Sequence, residues 1–158
     1  MTSTPSQPSK STIIQTIYQN IYDRIKDNVK SVSITGSVTV AVQTYTNSFP
    51  DKPLDSKSDY PIIVINVPSL RWDTFTLTKK TATGNFNIEV YTTQTESADK
   101  LADALINSIE TYRDDLRAVN IHFVNLETVS QDNFTRGKIS VHGRTMNFSF
   151  KYIFTGSL

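Results

Sequence analysis

The 158-residue chain sets sixteen Lys and Arg against fifteen Asp and Glu, and a formal charge of +1 supplies no general field toward nucleic acid or an anionic membrane. With no cysteine it has no disulfide, no thiolate nucleophile, no Cys-ligated zinc and no iron–sulfur cluster. The length predicts one compact body, and 38 Ser and Thr, many alternating with Val, Ile and Phe, predict a sheet with polar strand faces.

Met1 to Lys10 holds two prolines and five hydroxyl residues with no apolar period, and is expected to be a disordered tail ahead of a domain spanning residues 11–158. From Ser11 onward, Ile13, Ile14, Ile17, Tyr18, Ile21, Tyr22, Ile25 and Val29 recur at helical spacing. Gln15, Gln19, Asp23, Arg24 and Lys26 fall on the opposite, polar face of that helix. Val32 to Thr46 alternates with period two and predicts a strand. The Pro-, Asp-, Ser- and Lys-rich stretch from Thr46 to Asp59 is long for a connection inside a compact domain and predicts a functional loop. Ile62, Ile63, Val64 and Ile65 form a continuous apolar run, the mark of a strand covered on both faces in the centre of a sheet, and far too short to span a membrane.

Leu70 to Lys80 predicts a strand with a bulge, because Trp72 and Phe75 are an odd number of residues apart. A turn at Thr83-Gly84-Asn85 is expected to lead into Phe86, Ile88 and Val90, completing a hairpin. Thr93-Gln94-Thr95-Glu96 matches a capping box, and Ala98, Leu101, Leu105, Ile109, Tyr112 and Leu116 give the second helix its apolar face. Ile121, Phe123 and Val124 begin another strand, Ser130 to Arg136 reads as a polar connector, and Met146, Phe148, Phe150, Tyr152 and Phe154 define a last strand by strict alternation. The order predicts an α+β fold: a mostly antiparallel β-sheet with two helices packed on one face.

The sequence offers little chemistry. His122 and His142 lie in expected strands, with no G-x-S-x-G elbow, no H-x-H and no H-E-x-x-H. The five glycines are dispersed, so no phosphate-binding loop forms, and Asp114-Asp115 reads as a solvated helix end. The expectation is a non-enzyme without cofactor or metal. Polar loops beside well-patterned strands make Phe49, Asp51, Lys52, Arg71, Trp72, Lys79, Lys80, Phe134 and Arg136 the candidate subunit or partner interface. Deleting Ser48 to Lys57 is expected to spare the fold. Exposed strand edges invite completion by an identical neighbour, and a closed ring would remove them.

Three segments in order carry a family likeness: the helix Ser11 to Val29, the strand Tyr60-Pro61-Ile62-Ile63-Val64-Ile65, and Phe86-Asn87-Ile88-Glu89-Val90-Tyr91 running into the helix Glu96 to Leu116. Together they resemble the tail terminator (tail completion) proteins of long-tailed bacteriophages, over roughly residues 11–155. The resemblance implies a homo-oligomer, a hexameric ring at the tail–neck junction of the virion, made in the host cytoplasm. It also implies partners: the tail tube protein below, the neck or connector protein above, and DNA passing through the lumen without sequence-specific binding, with no membrane. A head–tail stopper, a tail tube subunit and a nonviral ligand-binding α+β domain are the alternative readings.

Overall fold

A computed structural model describes residues 13–26, 28–33, 39–46, 53–75 and 79–155. The expected disordered tail lies outside them. Helix α1 (Ile13–Lys26) is followed by β1 (Ser31–Ser33), β2 (Thr39–Ala41), β3 (Gln43–Thr46), a 3-10 turn (Lys57–Asp59), β4 (Ile62–Ile65), β5 (Ser69–Phe75) and β6 (Lys79–Thr92). Then come α2 (Thr95–Thr111), α3 (Arg113–Ala118), β7 (Ile121–Arg136) and β8 (Ile139–Thr155). The fold is α+β, with a mixed, mostly antiparallel six-stranded sheet and three helices.

The sheet order is β3-β4-β6-β8-β7, and β5 pairs with the part of β6 that β4 leaves open. Among the described strands the one parallel pair is β3 on β4. β6 and β8 pair without a break from Lys79↔Thr155 to Thr92↔His142, and strict alternation along both strands assigns the two faces. Ala82, Phe86, Ile88 and Val90 of β6, with Met146, Phe148, Phe150 and Tyr152 of β8, point into the main core. There they meet Ile17, Ile21 and Ile25 of α1, Leu101, Leu105 and Ile109 of α2, and Leu116 of α3, so the helices share one face. Each of the Ile, Leu, Val, Met and Phe side chains contributes ~1.5–3 kcal/mol by leaving water.

Several expectations change for identifiable reasons. The strand expected over Val32 to Thr46 is three short ones: β1 pairs β2 in a separate two-stranded ribbon, and only β3 joins the main sheet. No turn forms at Thr83-Gly84-Asn85, where β6 runs straight through. Gly84 is there for space: a Cβ would collide with the Phe150 ring from the neighbouring strand. The expected second helix breaks at Tyr112 into α2 and α3. Its capping box is absent, because Gln94 is the N-cap and makes no side-chain cap hydrogen bond, and Glu96 pairs with Lys100 at 2.8 Å. Ser130 to Arg136 is no connector but the far half of β7, paired with Thr145 to Ile139; its polarity reflects exposure, and the turn is Gly137-Lys138. The bulge expected between Trp72 and Phe75 is present, and all four residues of β4 are buried between β3 and β6.

Arg24 also departs from its expected place on the polar face of α1. It is fully buried, with Nε 3.5 Å from an Asp115 carboxylate oxygen of α3. Its carbonyl accepts from Ser108 Oγ at 3.0 Å and Asn28 Nδ2 at 2.6 Å, and Tyr112 donates its hydroxyl to Asn28 Oδ1 at 2.9 Å. A charge taken out of water requires a partner such as the Asp115 carboxylate, and with the bonds at the Arg24 carbonyl this set ties the end of α1 to both later helices. The Phe150–Gly84 contact gives a direct test of the β6–β8 register. Gly84→Ala overpacks it and is expected to lower unfolding free energy by ~1–3 kcal/mol, read as a fall in urea midpoint; an unchanged midpoint would mean that Phe150 does not lie over this glycine.

Candidate interaction surfaces

The sheet face away from the helices divides in two. At one end Ile62 and Val64 of β4, Tyr91 of β6, and Ile139 and Val141 of β8 build a second, smaller core. The segment before β4 covers it: Leu54 is buried there, and Tyr60 donates its hydroxyl to the Leu54 carbonyl at 2.9 Å. Ser56 and Asp59 close a capping box around the 3-10 turn that holds this segment in place. Removing Ser48 to Lys57 would therefore take Leu54 from a core, contrary to the expectation that the deletion spares the fold.

The rest of that face is wet and bridged across strands. Thr83 donates to Asp73 at 2.7 Å, Ser69 to Asn85 at 2.6 Å, Asn147 Nδ2 to Thr128 at 2.7 Å, and Ser149 to Glu127 at 2.5 Å. The bonds from Ser149 and then Asn125 hold the exposed Glu127 carboxyl below its ordinary pKa.

The candidate residues fall at opposite ends of the sheet. Phe49, Asp51 and Lys52 lie outside the described residues. Arg71 is exposed on β5, with an Nη2–Asp73 distance of 3.7 Å. Trp72 is 37% exposed and meets Tyr152 edge to face at 6.3 Å, so it is part core filler and part surface. Lys79 opens β6 opposite Thr155, and half-buried Lys80 pairs with Phe154 and Phe75. Phe134 and Arg136 sit at the tip of the β7–β8 hairpin, where Phe134 meets Tyr91 at 5.7 Å and Arg136 reaches the Pro53 carbonyl at 3.5 Å. These two join the tip to the second core.

The sequence reading passed over the most exposed large apolar side chain on the described surface. Phe123, expected only to lie in a strand with Ile121 and Val124, is 73% exposed at φ +54°. A bulge explains this: His122 pairs with Lys151 and Asn125 with Ser149, so Phe123 and Val124 together oppose Phe150. Val124 takes the core position and Phe123 is turned out. A bulky residue at positive φ carries strain on the order of 1–3 kcal/mol. The apolar doublet Phe123-Val124, which breaks the period-two pattern, is the signal for it.

Cavities open on the described surface. One of about 490 Å³ lies at the start of α2, lined by Gln43, Lys57, Tyr60, Pro61, Thr92 and Ser97 among others. The second, about 230 Å³, lies between the end of α1 and β3, lined by Tyr22, Lys26, Val29, Lys30, Val42 and Thr44. Of the two histidines, His142 places Nδ1 3.3 Å from Thr95 Oγ1, and the His122 ring lies 6.2 Å from that of Phe123. Among the described residues no group of three His, Asp or Glu is placed to hold a metal ion, and no helix is long and apolar enough to cross a membrane. No protein-family model matches this chain, and no curated protein matches it in sequence.

Burial also fixes how the phenols respond to pH. It is the largest influence on Tyr60, Tyr91 and Tyr152 and pushes all three up from 10.0, Tyr152 to about 12. A folded-state pKa above the unfolded one leaves stability intact below pH ~10, then erodes it as the unfolded phenols ionise first. The urea midpoint is expected to fall between pH ~8 and ~11; an equal midpoint at both would mean that these hydroxyls are in water.

Proposed function

We propose that this chain is a structural virion protein: a ring-forming subunit that ends growth of a phage tail tube and offers the surface for head-to-tail joining, with no catalytic role. The observation that carries this reading is the open edge of β7. This 16-residue strand is the last in the sheet order, pairs only with β8 among the described strands, and is exposed over most of its length. Such a ladder is a template for another chain, and natural proteins otherwise shorten, cover or block it. Closing a ring with copies of itself satisfies every edge at once and limits the assembly.

The wet face adds support. Asn85, Asn87, Thr145, Asn147 and Ser149 line its middle with neutral polar groups. A polyanion moving past such a surface meets no row of cations to arrest it, since phosphate binding depends on neutralising Lys and Arg. Two subunit ends then face different neighbours, the last ring of the tube and the neck protein.

The reading is tested by adding the purified chain to polymerising tail tube protein. Elongation is expected to stop, with a discrete ring of this chain seen at one tube end by electron microscopy. Tubes that reach the same length with and without it would contradict the reading. Open-ended polymers of the chain itself would favour a tube subunit, and a persistent single copy that takes up a small molecule in the larger cavity would favour a ligand-binding domain.

A further inference from the structure

The cavity of about 490 Å³ at the start of α2 brings three kinds of wall together. Tyr60 and Pro61 give it an apolar side, Thr92 and Ser97 carry hydroxyls, and Lys57 is the only charged residue among the described ones that line it. The carboxylates beside it in sequence are turned to other partners. Asp59 accepts from the Ser56 amide at 3.2 Å, and Glu96 pairs with Lys100 at 2.8 Å. Tyr60 brings no spare donor, since its hydroxyl is given to the Leu54 carbonyl at 2.9 Å.

α2 presents its positive end at this cavity. Its helical bonds begin where the Ala98 N–H donates to the Gln94 carbonyl at 3.1 Å, so the amides of Thr95, Glu96 and Ser97 precede the first acceptor. Gln94, the N-cap, makes no side-chain cap hydrogen bond to them. Thr92 instead donates its hydroxyl to the Gln94 carbonyl at 2.6 Å, which fixes the turn into the helix. An uncapped start to a helix of 17 residues favours anions through its dipole and its spare donors.

A helix end alone defines no site, and Ser97 adds what it lacks. Ser97 is 2% exposed and lines the cavity, yet its Oγ has no hydrogen-bond partner among the described residues. Buried hydroxyls are ordinarily paired. Ser97 therefore offers two donors from one position, its amide and its hydroxyl, and Lys57 offers the charge from across the cavity wall. The capping box of Ser56 and Asp59 holds the 3-10 turn that carries Lys57.

We propose that this cavity binds a small organic oxyanion, a phosphate or a carboxylate. Its charged head lies against the Ser97 amide and hydroxyl and the Lys57 ammonium, and its body lies along Tyr60 and Pro61. The volume favours an organic ligand over a bare ion, because it falls within the ~300–1,000 Å³ of small-molecule sites. The lining favours an anion, because a cation would meet Lys57 and the positive end of α2 with no carboxylate to offset them. Every named wall belongs to one copy, so the site goes beyond the ring reading and stands apart from it.

The test is calorimetric titration of the full-length chain with phenyl phosphate, benzoate and uncharged benzyl alcohol, alongside urea unfolding of each variant. At least one of the two anions is expected to bind once per chain, with benzyl alcohol weaker by at least about tenfold. The tighter anion names the head group. Lys57→Gln and Ser97→Ala are each expected to weaken it by about tenfold or more, the loss of one hydrogen bond to a charged group. Lys57→Gln leaves the urea midpoint unchanged, and Ser97→Ala keeps or raises it, because the hydroxyl has no protein partner to lose. Ser97→Asp places an acid in the first turn of α2, where the dipole favours it, and is expected to fold and exclude both anions. Failure of both anions to bind, benzyl alcohol binding as tightly as they do, or undiminished binding to Lys57→Gln and Ser97→Ala overturns the site. A ring that binds neither anion overturns this site and leaves the ring reading standing; a chain that binds the anion at Lys57 and Ser97 but never associates does the reverse.

Discussion

The structure depends first on the pairing of β6 with β8. These strands are hydrogen-bonded in one unbroken register, and each alternates large apolar residues with Thr, Asn, Ser or Lys. A shift by one residue would carry Phe148, Phe150 and Tyr152 into water and Asn147 and Ser149 into the core. Phe86 stacked on Phe148 at 5.0 Å and Phe150 lying over Gly84 make that shift costly. Everything else is placed relative to this pair: helices on the apolar face, cross-strand polar bonds on the other, β4 and β5 along one side and β7 along the other.

The same alternation leaves work unfinished at the margins. The helices cover the middle of one face, and the segment around Leu54 covers one end of the other. Neither reaches the outer ladder of β7. Its exposure, its bulges and an outward Phe123 distinguish it from the interior strands, whose inward residues are buried from Ala82 to Val90 and from Arg144 to Tyr152. A subunit whose stability comes from its own core, and whose edge remains available, suits assembly from preformed parts. Arg24 serves that rigidity, since its buried guanidinium and carbonyl fix α1 against α2 and α3.

Elements defined by one strong period were legible in the sequence. The helices beginning near Ile13 and Thr95, the buried β4 and the alternating β8 all appear where the apolar spacing puts them. What the sequence hid were features that depend on a partner across space. Gly84 reads as a turn until Phe150 is seen to need its missing side chain; Arg24 reads as surface until Asp115 closes over it; Phe123 reads as one residue of an ordinary strand until the bulge gives the core place to Val124. The interface candidates were drawn from polar loops, whereas the long exposed ladder lies on the edge strand β7.

Amide hydrogen exchange along β7, compared between dilute and assembled protein, tests most directly the idea that identical neighbours complete this strand. The account predicts that outward-facing amides between Ile121 and Arg136 slow markedly once assembly begins, while the β6–β8 ladder stays protected throughout. Assembly without any change in β7 exchange would show that the chain associates through some other surface, and the account would be wrong.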